Sequence, residues 1–268
     1  MSKLLVEVLE RMGVLPSVTG DAERARAWLA ERENGPEGGV LRGRPHRGAH
    51  DSELARLAPA IRALFGFKEG GIRIIPTARH MPGDEHDEVV WPEGEAIAAP
   101  ELLYLLRRSY TDREVQITPS RDLNVDGKWK QCNLVILGGP SEGANEAARE
   151  VWPQLDIPYR FSGNSLMTKD GEVICTTQRD GDHVHDCAVF VKAPSPFTPN
   201  RGIVLMAGVL TQGTCAAGVY VKSKEWLRQV VPAMRRESNV STVWWAVTAG
   251  VNDPWPTAGE FRGPVIRS

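Results

Sequence analysis

The sequence predicts an α/β fold in which a mainly parallel sheet is covered by helices and preceded by a small helical segment. Three observations carry that expectation. After Gly70, short apolar runs of strand length alternate with stretches of helical periodicity, the pattern of βα units. Two of these runs, Leu134 to Leu137 and Ile203 to Ala207, contain no polar residue, as strands buried on both faces do. Each is followed by a glycine, a Ser or Thr, and a stretch of small residues, the requirements of a tight strand-to-helix turn.

Taken in order, Ser2 caps a first helix whose Leu5, Val8, Leu9 and Met12 share one face and which Gly13 and Pro16 end. That face either packs on its own domain or joins a second copy in a homo-oligomer. A second helix runs from Asp21 to about Arg32, with Ala25, Trp28 and Leu29 on one side. Asn34 to His50 concentrate glycine, proline and Arg42, Arg44 and Arg47 without apolar periodicity, the composition of a linker. From Asp51 a helix places Leu54, Leu57, Ile61, Leu64 and Phe65 inward, with Pro59 kinking or dividing it. Strands follow at 72–75, 114–118 and 133–137, and helices at 93–108 and 144–151. A β-rich passage (159–161, 172–177, 187–192) precedes the strand 203–207, helices 214–220 and 224–234, and a last strand 241–248. The Pro- and Gly-rich tail from Asn252 is expected to drape over the surface. The expected division is a helical segment 1–68, an α/β ligand-binding or catalytic domain 69–250, and a tail 251–268.

Composition narrows the functions. The 268 residues carry a formal net charge of −2 and are 41% hydrophobic, an ordinary globular balance without the basic excess of a nucleic-acid-wrapping protein. No apolar run approaches the roughly 20 residues of a membrane span. Glu7 and Glu10 interrupt what would be the core of a signal peptide, so a cytoplasmic location is expected. Cys132, Cys175, Cys187 and Cys215 fit neither zinc-knuckle nor CxxC spacing and read as buried thiols.

The most informative motif is internal. LVILGGPSEGANEAA from Leu134 aligns without gaps to VLMAGVLTQGTCAAG from Val204 when Gly138 is set against Gly208. Ser141 then meets Thr211, Glu142 meets Gln212, and Gly143 meets Gly213, which suggests two pseudo-repeated halves. Such turns expose backbone N–H groups at a helix start, where phosphates and carboxylates bind without a lysine. The ligand-binding candidates are therefore Gly138, Gly139, Ser141, Gly143 and Asn145 in the first turn, and Gly208, Thr211, Gly213 and Thr214 in the second. Neither turn is a Walker loop or a GxGxxG fingerprint.

The run NLVILGGPSEGANEAAREV is similar to the strand, GGP turn and helix of bacterial Rossmann-like domains that handle nucleotides and nucleosides, including the nucleoside 2-deoxyribosyltransferase superfamily. It also resembles uncharacterised actinobacterial domains in which an LGGP turn precedes a strand ending in AP-x-PF, here KAPSPF, and then a GT turn, here QGT. The first resemblance implies a nucleoside or nucleotide ligand and a nucleophilic glutamate in a second acidic motif. PEGEAIAAPEL, with Glu93 and Glu95, is the nearest counterpart, and the helix dipole accounts for acids there equally well.

Other residues offer chemistry. DGDHVHDC sets His183 and His185 on one face of an extended chain, so that His183, His185 and Asp186 could hold a divalent metal such as zinc or iron, or either histidine could act as an acid or base. The loop RHMPGDEHDE brings His80 and His86 among acids. Trp91 and Trp129 are placed to stack on a base, and Asn200 and Arg201 to reach a phosphate. Three functions follow. The first is a sensor or effector module binding a nucleotide or other phosphorylated small molecule at the two turns. The second is an N-glycosidase or deoxyribosyltransferase-like enzyme using Glu142 or Glu95 with His183 or His185. The third is a metal-dependent enzyme. The first is preferred, because no nucleophile or paired-acid motif compels catalysis.

Overall fold

The computed structural model describes residues 47–80, 89–123, 127–141, 145–180, 183–236, 240–248, 256–261 and 266–267. The two expected amino-terminal helices, with Leu5, Val8, Leu9 and Met12, lie outside the described residues. Leu54–His80 and Val90–Ser268 make one compact unit, whose first boundary falls inside a helix.

That helix, α1 (Arg47–Phe65), starts within the expected linker and continues through Pro59 without a break. Then come β1 (Ile72–Ile75), α2 (Glu93–Ser109), β2 (Val115–Ile117) and β3 (Asn133–Leu137). A six-residue helix, α3 (Glu146–Val151), leads to a three-stranded meander of β4 (Tyr159–Ser162), β5 (Ser165–Thr168) and β6 (Val173–Thr176). The chain continues through β7 (Gln178–Asp180), β8 (His183–Pro194), β9 (Gly202–Gly208), α4 (Thr211–Tyr220) and α5 (Lys224–Arg236). It closes with β10 (Val240–Thr248), β11 (Pro256–Phe261) and β12 (Ile266–Arg267).

Among the described residues the main sheet has nine strands in the order β11-β10-β8-β9-β3-β1-β2, with β12 beside β10 and β7 beside β8. Strands β9, β3, β1 and β2 are parallel, whereas β8, β10 and β11 pair antiparallel with their neighbours. The expectation of a mainly parallel sheet is thus corrected to a half-parallel one. The physical reason is loop length. Strands β8 and β9 are joined only by Ser195 to Arg201, too short for a crossover, and such a connection forces an antiparallel pair. The expected surface tail instead supplies β11 and β12 to the sheet edge.

Strands β1, β3, β8 and β9 are buried on both faces. On one side Ile61, Leu64 and Phe65 of α1, Leu102 and Leu106 of α2, Ala216 and Ala217 of α4, and Trp226 of α5 cover Ile74, Val135, Leu137, Phe190, Val204 and Met206. On the other, Ala147, Ala148 and Val151 of α3, with Tyr159, Leu166 and Cys175 of the meander, cover Leu134, Ile136, Cys187, Val189 and Leu205. Helices α2 and α4 approach closely because Gly218 faces Ala98: a Cβ at 218 would stand 2.5 Å from the Ala98 methyl.

This layering changes the meaning of the internal repeat. In the sheet Leu134 is paired with Ile203, one residue out from the sequence alignment that sets it against Val204. A slip of one residue exchanges the faces of a strand. Accordingly Leu134 faces the meander and Val204 faces the helices, and the helices that follow, α3 and α4, lie on opposite sides of the sheet. The two turns are neighbours on one edge, but they are not equivalent.

Candidate functional site

The order of the parallel strands reverses between β1 and β3. From β1 the chain passes through α2 to β2 on one side, then returns to β3 on the other. In open α/β sheets ligands settle at the carboxyl ends of the strands beside such a switch. Both glycine turns lie on that edge, the first after β3 and the second after β9.

The second turn is filled by the chain itself. Asp186, at the start of the apolar part of β8 and 2% exposed, directs its carboxylate into the turn. Its oxygens accept from the amides of Leu210 at 3.0 Å, Gly213 at 2.5 Å and Cys187 at 2.7 Å. Burial pushes the Asp186 carboxyl up to about 7, and the Gly213, Cys187 and Leu210 amides pull it the other way. The two hydroxyls are also engaged. Thr214 Oγ1 accepts from the Gly208 amide at 2.8 Å, and Thr211 Oγ1 accepts from the Gly94 amide of α2 at 2.9 Å. A Cβ at Gly213 would lie 2.6 Å from Asp186 Oδ2, so glycine is required there by close approach. Where the sequence reading expected Gly208, Thr211, Gly213 and Thr214 to receive an external anion, the structure places the Asp186 carboxylate.

The first turn is built differently. Gly138 has φ +94°, a conformation that favours glycine, and its amide donates to Met206 O at 2.9 Å. A Cβ there would meet Thr77 Oγ1 at 2.6 Å and Glu95 Oε1 at 2.7 Å. Glu95, in the first turn of α2 and 4% exposed, accepts from the Thr77 amide at 2.5 Å and from its hydroxyl at 3.0 Å. The sequence candidate Glu95 is thus brought to Gly138, but as a buried brace for the loop after β1. Asn145 is likewise structural. Its amide nitrogen donates to Ile75 O and Leu137 O, both at 2.8 Å, tying β1 to β3, while Oδ1 accepts from Ala148 N and caps α3. Among the described residues of this turn, the Gly139 and Ser141 amides stay uncommitted. Ser141 is exposed, and the amides of Gly139 and Ser141 donate to no described residue. Glu142 and Gly143 lie outside the described residues.

Several other candidates are placed away from this edge. Trp129 is buried against Phe197, with ring centroids 5.3 Å apart, just before β3 and therefore at the opposite end of the sheet. Asn200 and Arg201 precede β9 at that same end, where Arg201 donates to Gln131 O and pairs with Glu69. Trp91, partly buried against the helical core, instead stays near the turns, since it stands just before Gly94 and Glu95 of α2. Trp129, Asn200 and Arg201 are thus far from the edge at which the sequence reading expected them. Strand alternation also divides the proposed metal set. Asp186 shares the helical face with Ala188 and Phe190, whereas His185 falls in register with Cys187 and Val189 toward the meander. Asp186 is moreover committed to three amides, and among the described residues no three metal-ligating side chains converge. His86 lies outside the described residues.

The thiol reading needs one correction. Cys175 of β6 and Cys187 of β8 form a disulfide that ties the meander to the main sheet, while Cys132 and Cys215 belong to no disulfide. Their separation of 12 residues gave no sign of pairing, because the two strands meet only when the meander folds back. No described helix is long and apolar enough to cross a membrane. The fold and edge define a mixed α/β protein with a switch-point turn. No family model, curated protein or solved structure matches the chain.

Proposed function

We propose that the chain is a Rossmann-like sensor or effector module that binds a nucleotide or other phosphorylated small molecule at the first glycine turn alone. The observation that carries this reading is the contrast between the turns. Both stand on the edge where α/β sheets bind ligands, yet Asp186 takes the Leu210 and Gly213 amides and fills the second turn with a carboxylate, while no described residue takes those of Gly139 and Ser141. Backbone amides presented by a left-handed glycine make an anion-binding concavity. The α3 dipole is a minor contributor, since that helix has only six residues and Asn145 already caps it.

The test is thermal-shift titration with a nucleotide panel, since a ligand raises the melting point by mass action. Ser141→Glu places a negative charge on the exposed turn. It is expected to weaken nucleotide binding at least tenfold while the unliganded melting point stays unchanged. Lys128→Ala, before β3 at the other end of the sheet, leaves binding intact. Equal affinity in Ser141→Glu and wild type refutes the placement.

A further inference from the structure

A second cleft opens beside the Asp186-filled turn. Its volume is about 260 Å³, and it is lined by Asn164, Thr177, Gln178, Arg179 and Leu210. Three separate parts of the chain contribute: the tip between β4 and β5, strand β7 with the residue before it, and the loop after β9. Among the described residues the lining contains a guanidinium, two carboxamides and a hydroxyl, and no carboxylate.

Two observations point from this inventory to a ligand. The side chains of Arg179, Gln178 and Asn164 make no hydrogen bond or ion pair to any described residue, whereas the acid next door, Asp186, is committed to the turn. Leu210 is 37% exposed, an apolar side chain left open on the wall of an otherwise polar cleft. Guanidinium matches a planar carboxylate in bidentate fashion, carboxamides add donors, and leucine suits a short apolar tail. The volume lies just below the range of drug-sized ligands, so the occupant is small.

We infer that this cleft binds a small carboxylic acid with a short branched apolar tail, its carboxylate on Arg179 and its tail on Leu210. The site is separate from the first glycine turn, so its failure and the failure of the nucleotide reading are independent.

Calorimetric titration of the full, oxidised chain with 4-methylpentanoate tests the inference, with 4-methylpentanamide as the uncharged isostere and inorganic phosphate as a second anion. The expected result is saturable binding of the carboxylate that falls at least tenfold in Arg179→Gln, falls again in Leu210→Ser, and is absent for the amide. Both side chains are exposed, and circular dichroism confirms that each variant is folded. No saturable binding of the carboxylate, equal affinity in Arg179→Gln, or tighter binding of inorganic phosphate overturns the inference.

Discussion

A single side chain, Asp186, decides how the second glycine turn is used. Its carboxylate stands where a phosphate was expected and takes two of the turn's amides, those of Leu210 and Gly213. Because burial holds this carboxyl near 7, above its ordinary 3.8, the folded chain keeps a proton that the unfolded chain releases. The sign follows directly. The contribution is fully present below pH 4, is lost as pH rises toward 7, and is flat above, with a ceiling of about 4 kcal/mol. Urea unfolding at pH 5 and pH 8 is therefore expected to show lower stability at pH 8, and Asp186→Asn to shrink that difference while lowering stability at pH 5 by about 2 kcal/mol. An undiminished pH difference in Asp186→Asn contradicts this role. The sequence displayed Asp186 beside two histidines, which suggested a metal. Its true partners lie in a turn 24 residues further along, and proximity in sequence cannot reveal such a contact. Glu95 was legible as an acid at a helix start, but its engagement with Thr77 was not, for the same reason.

At the scale of elements, what was legible followed local physics. Apolar periodicity placed β1, α2, β3, β9 and α5 within a few residues, because each buries a face long enough to leave a pattern. The antiparallel half was misread, although the seven residues between β8 and β9 were already too few for a crossover. The internal repeat misled for a subtler reason. Similar glycines ended β3 and β9, but a register offset by one residue turned α3 and α4 to opposite faces. The disulfide between β6 and β8 is the strongest link from meander to sheet. Closing a loop of this size is worth about 3 kcal/mol through the unfolded chain. Reduction, or the double replacement Cys175→Ala and Cys187→Ala, is expected to lower unfolding stability by that order in urea titrations, with added reductant causing no further loss in the double variant. Unchanged stability on reduction contradicts a formed bond in the native protein.

The larger unit is built on a half-parallel sheet between a helical layer and a layer of α3 with the meander, and the edge proposed to bind a ligand is set by the reversal of strand order at β1 and β3. Near-neutral charge is compatible with the phosphorylated ligand proposed above, because backbone amides rather than lysines would recognise it. The central claim is that the first turn receives the ligand and the second, already filled, does not. Amide-resolved NMR titration with a nucleotide panel tests it most directly. The account predicts that a binding nucleotide shifts the Gly139 and Ser141 amides foremost and leaves those of Leu210 and Gly213 in place. Largest shifts at Leu210 and Gly213, or no shift at the first turn with any nucleotide, contradict it.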